Sequence, residues 1–402
     1  MSLPLITLKR GSIARVLTGH PWVFGNELEE PVPSQYKGQL AALEDHRKRF
    51  LGVGIVNPDS QIVWRRVSRE PVVNEAQLWE KRLADAIDKR GRMYHLDKSF
   101  HRLVWSESDE LPGLVVDRYE DTLVVQLLTA AMDQRKDWIA QWLQSRFAGA
   151  EIVFRQDNPI REKEGLPIVQ PQVDGVRWLQ MSDLQWAFPL GGGQKTGFFL
   201  DQLLQQRHVA NMYAKGARVL DLFSHTGGFA IRAMHAGARS VTAVEISAEA
   251  VTLGKEICSK NHLTVNWVEG NVFDYLSEPT EERFDLIVLD PPNFCKSAQA
   301  LPGAIRGYKE CHLRAMNLLA PGGVLATYCC SHHMNRSLFE QTIRDAAGDA
   351  GVSLEILEEV SQSPDHPRYL EMPESEYFKG VIYRLAGRFP KPLPRTNKRF
   401  SR

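Results

Sequence analysis

The sequence predicts an α/β fold, a parallel sheet covered by helices on both faces, preceded by a small β-barrel and a compact α+β segment. Three observations predict it. From about residue 186, runs rich in Val, Ile and Leu alternate with amphipathic helical stretches, the pattern of parallel strands buried on both sides. Before about residue 73, short apolar runs are separated by turn signals. The length of 402 residues exceeds one ordinary core, so two or three domains are expected.

Bulk composition narrows the partners. Apolar residues make up 43% and charged residues 24%, with 49 Lys+Arg against 49 Asp+Glu. No global field announces a polyanion, so any nucleic-acid surface must be local. Pro4, Lys9 and Arg10 interrupt the first residues, and no secretory signal is expected. No run approaches the roughly 18 apolar residues of a membrane span. Five cysteines, an odd number at irregular spacing, point to reduced thiols and a cytoplasmic protein. CxxC, HxxxH and HExxH patterns are missing from the sequence, so no metal is expected.

The elements follow in order. Residues 1–73 read as short β segments, "LITL", "ARVL", "GQLAALED", "FLGVGIV" and "IVWRRV", forming a barrel. Ten Lys/Arg against seven Asp/Glu give this segment a local excess of three, and "HRKR" and "WRRVSR" place charge beside Trp64. Basic groups can meet phosphates while an aromatic stacks on a base, with a solvated rim as the alternative. Residues 74–185 open on a helix capped near Asn74. Two strands in "HRLVWSESDELPGLVVDRYEDTLVVQLL", a helix around "QRKDWIAQWLQSRF" and the strand "AEIVF" complete an α+β segment. Residues 186–387 carry the strands "ARVLDLF", "SVTAVEI", "VNWVEG", "FDLIVLD" and "GGVLATYCC", with helices "GGFAIRAMHAG", "SAEAVTLGKEICSKN" and "ECHLRAMNLLA" between them. The tail 388–402 holds six basic residues and no acid, and reads as a nucleic-acid arm or a disordered terminus.

In an open α/β sheet, ligands bind beyond the carboxyl ends of the strands. Four such ends carry polar residues. Asp221 ends the first strand, and Gly227-Gly228 open the following helix, although the spacing is not GxGxxG. Glu245 ends the second, where a carboxylate can accept from both hydroxyls of a ribose. Asn271 can meet an adenine edge. "DPPNF" presents Asp290 between a strand and two prolines that fix the backbone. At the end of a fifth strand, "GGVLATYCC", stand Cys329 and Cys330. Adjacent residues on a strand end point to opposite sides, so only one can face a pocket. Cys295 is the one rival thiol, while Cys258 and Cys311 fall in expected helices.

These motifs, "LDLFSHTGGFA", "AVEIS", "NVF", "LDPPNF" and "YCCS", resemble class I S-adenosylmethionine-dependent methyltransferases, in particular the bacterial large-subunit rRNA cytosine-C5 methyltransferases. The resemblance extends over nearly the whole chain. "GHPWVFGNEL" and "GVGIVNPDSQIVWRRVS" resemble that family's PUA domain, an RNA-binding β-barrel. "DNPIREKEGLP" resembles its central domain, and "SPDHPRYLEMPESEYFKG" its C-terminal signature. The fold implied is a Rossmann-like methyltransferase domain behind a PUA barrel and a small α+β domain.

The resemblance further implies S-adenosylmethionine as cofactor and 23S rRNA as partner, naked or in an assembly intermediate, with no membrane and a homodimer left open. Lys195, Thr196, Gly197, Phe198 and Asp201 would approach the cofactor. Asp221, Phe223, Gly227 and Gly228 would surround its methionine end, Glu245 would hold the ribose, and Asn271 would lie by the adenine. Asn271 stands where the family usually has Asp. Asp290 would border the cofactor and, with Pro291, Pro292 and Phe294, line the target-base pocket. The family's Ser/Thr-Cys-Ser motif makes Cys330 the nucleophile and Cys329 a packing residue. Many RNA cytosine methyltransferases carry a second cysteine where Asn293 stands here. Lys296, His332 and His333 are near in sequence and read as surface or RNA-facing groups. In the barrel, Arg65 and Arg66 would meet RNA phosphates.

Three alternatives remain at this point. "DPPN" also resembles the motif of exocyclic-amine methyltransferases, which need no thiol. A non-catalytic RNA-binding assembly factor would not need Glu245 and Asp290. A nicotinamide dehydrogenase would need phosphate-binding glycines that are missing from the sequence.

Overall fold

The structure is a computed structural model that describes residues 3–12, 14–94, 96–171, 175–189, 198–295 and 297–389. The expected cofactor residues Lys195, Thr196 and Gly197, together with Lys296 and the basic tail from 390, lie outside the described residues. The chain forms two compact units, one of residues 1–202 with 362–376 and one of residues 203–361 with 377–402.

The first unit begins with β1 (Leu5–Thr7), α1 (Ala14–Leu17), β2 (Trp22–Phe24), β3 (Leu40–Glu44), β4 (Phe50–Val56) and β5 (Ile62–Ser68). The strands make one sheet in the order β1-β3-β4-β5-β2. "ARVL", expected as a strand, is instead the helical turn α1. Four residues are too few for either periodicity to show. Trp64 is fully buried, and its indole N–H donates to Ala41 O at 3.1 Å, so it offers no face to a base.

The unit continues with α2 (Glu75–Gly91), β6 (Phe100–Trp105), β7 (Leu114–Tyr119), β8 (Thr122–Leu127), α3 (Ala130–Gln134), α4 (Lys136–Arg146), β9 (Glu151–Phe154), β10 (Val176–Met181) and β11 (Leu184–Pro189). The Asn74 side-chain Oδ1 caps α2 by accepting from Gln77 N. The stretch expected to hold two strands holds three, because Gly113 turns the chain between β6 and β7 and "YEDT" reverses it between β7 and β8. Barrel and α+β segment share one core. Leu40, Val53, Ile55 and Val67 of the barrel strands pack with Trp79 and Leu83 of α2, Val116 of β7, Val125 of β8 and Leu143 of α4. The division at residue 73 therefore marks a change of secondary structure and not a break in packing.

The second unit contains α5 (Leu203–Tyr213), β12 (Arg218–Leu222), α6 (Gly228–His235), β13 (Ser240–Glu245), α7 (Ala248–Lys260), β14 (Asn266–Glu269), α8 (Val272–Tyr275), β15 (Phe284–Leu289), α9 (Leu301–Leu318), β16 (Leu319–Cys329), α10 (Arg336–Ala350), β17 (Val352–Ser361) and β18 (Lys379–Arg388). Its sheet runs β14-β13-β12-β15-β16-β18-β17. The first five strands are parallel, and β18 is antiparallel to both neighbours. Alternate residues of each strand feed opposite faces. Ile287, Leu289 and Cys329 pack with Tyr308 of α9 and Phe339 of α10. Leu286, Val288 and Tyr328 pack with Val209 of α5 and Phe229 of α6. The helix expected from Glu310 starts at Leu301, with Pro302 in its first turn where no backbone donor is lost.

Candidate active site

The sheet order reverses between β12 and β15, and the crevice at such a switch point is where an α/β sheet takes its ligand. Five expected residues stand at adjoining carboxyl ends. Asp221 lies in β12, Glu245 ends β13, Asn271 caps α8 just after β14, Asp290 follows β15, and Cys330 follows β16.

Asp221 is 1% exposed, and its Oδ2 accepts from Ser224 Oγ at 2.7 Å and from Ala230 N at 2.9 Å. Burial pushes its carboxyl up to about 7 from 3.8. The two hydrogen bonds oppose that rise, and the charges of Asp290 and Glu245 add to it. An acid raised by folding contributes stability while it stays protonated. That contribution is complete below 3.8 and is lost as the pH rises towards about 7. Asp221→Asn should therefore flatten the fall in melting temperature of the cofactor-free protein between pH ~5 and ~7. An unchanged slope would show that Asp221 is already ionised there.

The loop after β12 is built on left-handed residues, Phe223 (φ 62°), His225 (φ 51°) and Gly227 (φ 88°). This shape delivers His225 N to Glu245 Oε2 at 2.8 Å, while Ser247 N reaches Oε1 at 2.8 Å. A carboxylate offers about four lone-pair positions. The two unused by these bonds suit the vicinal hydroxyls of a ribose, so Glu245 fits the cofactor expected of it. Asn271 is exposed, and its Oδ1 accepts from Phe273 N at 2.8 Å. The glycine pair also answers to the protein's own packing. A Cβ on Gly227 would sit 2.9 Å from Trp267, and one on Gly228 would sit 2.4 Å from Gln206 Nε2.

Beside Asp290, Phe294 forms an aromatic wall with Phe223 at 6.1 Å, Phe273 at 6.0 Å and Tyr308 at 5.0 Å between ring centroids. Pro291 is buried and Pro292 is exposed. Asn293 Oδ1 accepts from Cys295 N at 2.9 Å, and the buried Cys295 thiol donates to Ser297 O at 3.2 Å. The cysteine pair divides across the sheet. Cys329 is fully buried and its thiol donates to the Tyr308 hydroxyl at 3.4 Å. Cys330 is half-buried and packs against the opposite core. Burial raises the Cys329 thiol, which suits a packing residue. Cys258 and Cys311 are buried in α7 and α9.

Other expected residues, Phe198 and Asp201 among them, belong to the first unit. Phe198 packs edge-on to Trp186, and its N–H donates to the Tyr119 hydroxyl at 3.3 Å, while Asp201 is 2% exposed. Arg65 and Arg66 do not present their charges to solvent. Arg65 pairs with Glu107 and Glu164, both at 2.7 Å. Arg66 is 6% exposed and donates to the carbonyls of Gly19 at 2.5 Å and His20 at 3.4 Å. The structure thus turns both guanidiniums inward, away from the phosphate contacts expected of them. Sequence reasoning missed Ser224, His225 and Tyr308. "SHTGG" signals a turn, but no local pattern gives the φ values that aim its backbone at Glu245.

Residues 6–69 match the model of the PUA-like domain family, and residues 164–378 match that of the S-adenosylmethionine-dependent methyltransferases. A protein of Tolumonas auensis named ribosomal RNA large subunit methyltransferase I is 36% identical over 394 residues, covering 94% of this chain and 98% of its own. A protein of the same name from Aeromonas hydrophila is 37% identical over 402 residues, again covering 94% and 98%. The solved structure of a proposed S-adenosylmethionine-dependent methyltransferase from Streptococcus mutans superposes with a TM-score of 0.79 at 20% identity, covering 95% of this chain and all of its own. A second structure, complexed with S-adenosylhomocysteine, gives the same score and identity over 96%. At that identity the likeness shows the fold.

Proposed function

The chain belongs to the S-adenosylmethionine-dependent methyltransferase family, and from that premise we propose that it methylates C5 of a cytosine in large-subunit rRNA. One observation carries the chemistry: a half-buried thiol, Cys330, stands at the end of β16 beside the strand end that bears Asp290. The names of the relatives support the RNA class.

Cytosine C5 is a weak nucleophile until a thiolate adds to C6. The Cys330 sulfur forms that bond, and the electrons of the C5–C6 double bond become available at C5. Asp290 hydrogen-bonds the N3 and N4 edge, where charge accumulates during the addition. When bound, S-adenosylmethionine supplies the electrophilic methyl group that C5 takes up. A base then removes the C5 proton, the double bond re-forms, and the Cys330 thiolate leaves. Glu245 holds the ribose, Asn271 lies at the adenine, and Asp221, Phe223, Gly227 and Gly228 enclose the methionine end. Phe294 and the two prolines shape the base pocket. Transfer to an exocyclic amine would leave Cys330, the half-buried member of the cysteine pair, without a task.

Large-subunit rRNA carrying 5-fluorocytosine tests this mechanism. Fluorine at C5 cannot leave as a proton, so the adduct should persist and peptide mapping should find RNA on Cys330. Modification of Cys295 instead, or normal turnover without an adduct, would sink the reading.

A further inference from the structure

Lys379 opens β18 and is 2% exposed, a costly place for an ammonium unless its hydrogens find acceptors. Here they do. The Nζ donates to Ser331 O at 2.7 Å and also to Met334 O. These carbonyls bound the turn that begins immediately after Cys330. The same turn is held at its start by Ser331 Oγ, which donates to Cys295 O at 3.3 Å, and at its end by the fully buried Met334. In the sheet register Lys379 lies directly opposite Cys329.

We propose that Lys379 is a positioning residue for methyl transfer, its buried ammonium clamping the Ser331–Met334 turn and so fixing where the Cys330 thiol points. The inference rests on Cys330 being the nucleophile. Electrostatics act in the same direction. Burial raises the Cys329 thiol, and the Lys379 charge works against that rise one residue from Cys330. Asp290 and Tyr308 face the same corner. The Asp290 charge opposes a thiolate there, so a nearby cation has a charge to offset. Nothing in the base or cofactor pocket described above requires a lysine on β18.

The test compares full-length wild type, Lys379→Met and Lys379→Arg with S-adenosylmethionine and large-subunit rRNA. Steady-state kinetics are measured alongside the rate of iodoacetamide alkylation at Cys330, read by peptide mapping. Misplacing the nucleophile should lower kcat by about 10- to 100-fold while KM for RNA and cofactor changes less than about threefold. Cys330 should alkylate at least about fivefold more slowly in Lys379→Met. Lys379→Arg, which keeps charge and donors, should recover most of both. A lysine that merely stabilises the fold would have the opposite signature, since loosening exposes thiols. Equal or faster alkylation, or an unchanged kcat, therefore overturns the proposal. Should Lys379→Met not fold, Lys379→Gln, which keeps a donor without the charge, is put through the same two measurements and judged by the same outcomes. If Cys330→Ala proves fully active, the nucleophile reading has failed, whereas the alkylation comparison still reports what Lys379 does to the thiol.

Discussion

Cys330→Ala should lower methyl transfer by at least about a thousandfold and leave S-adenosylmethionine affinity within about twofold of wild type. The asymmetry follows from what the thiol touches. In the proposed mechanism it adds to the base, whereas the cofactor is held by Glu245 and the loop after β12. Transfer of a labelled methyl group to rRNA measures the first quantity and calorimetry the second. Cys329→Ala is the internal comparison. It removes a buried thiol that bonds Tyr308, so it should cost stability and spare most of the rate. Full activity in Cys330→Ala, or equal losses in both variants, would return the choice to Cys295 or to amine methylation.

Arg65→Ala should destabilise the first unit by about 3–5 kcal/mol, because it strands two buried carboxylates at once. The side chains of Glu107 and Glu164 are only 8% and 4% exposed. Although burial works to raise the Glu107 carboxyl, the Arg65 charge is among the interactions that hold it below its usual range. Such a lowered acid contributes stability at neutral pH that is lost as the pH falls. The damage from Arg65→Ala should therefore be largest near neutrality and shrink towards pH ~4 as the stranded Glu107 takes up a proton. Thermal melts across that range check both sign and size. A change within about 0.5 kcal/mol at neutral pH would mean that Arg65 is a solvated surface charge after all.

The sheet and the ends of its strands were legible because their signals are local. A run such as "FDLIVLD" declares a buried strand, and an acid at its end is visible without knowing the neighbours. Adjacent cysteines likewise reveal by parity alone that they face opposite sides. What escaped depends on partners far along the chain. "WRRVSR" looks like a cationic patch until Arg65 meets Glu107 and Glu164, 42 and 99 residues away. Trp64 looks like a stacking platform until Ala41 accepts its N–H. Lys379 sits in an ordinary-looking "FKG", and only pairing β18 with β16 brings it beneath the turn after Cys330. The shared core of barrel and α+β segment was hidden for the same reason, since one strand residue cannot show which helix covers it.

The chain enters the first unit twice, and this has a consequence for how the molecule is made. Asp365 lies on the second visit. Its carbonyl accepts from Arg90 Nη2 at 2.7 Å, and its carboxylate accepts from Arg102 N at 2.8 Å. Both arginines are buried and come from residues translated long before. A nascent chain halted after β11 therefore holds an incomplete interior, with Arg90 lacking one acceptor and the start of β6 lacking another. Vectorial synthesis cannot finish the amino-terminal unit first and the methyl-transfer unit second. Both reach completion late, once the ribosome has passed Asp365 and then laid down β18 (Lys379–Arg388).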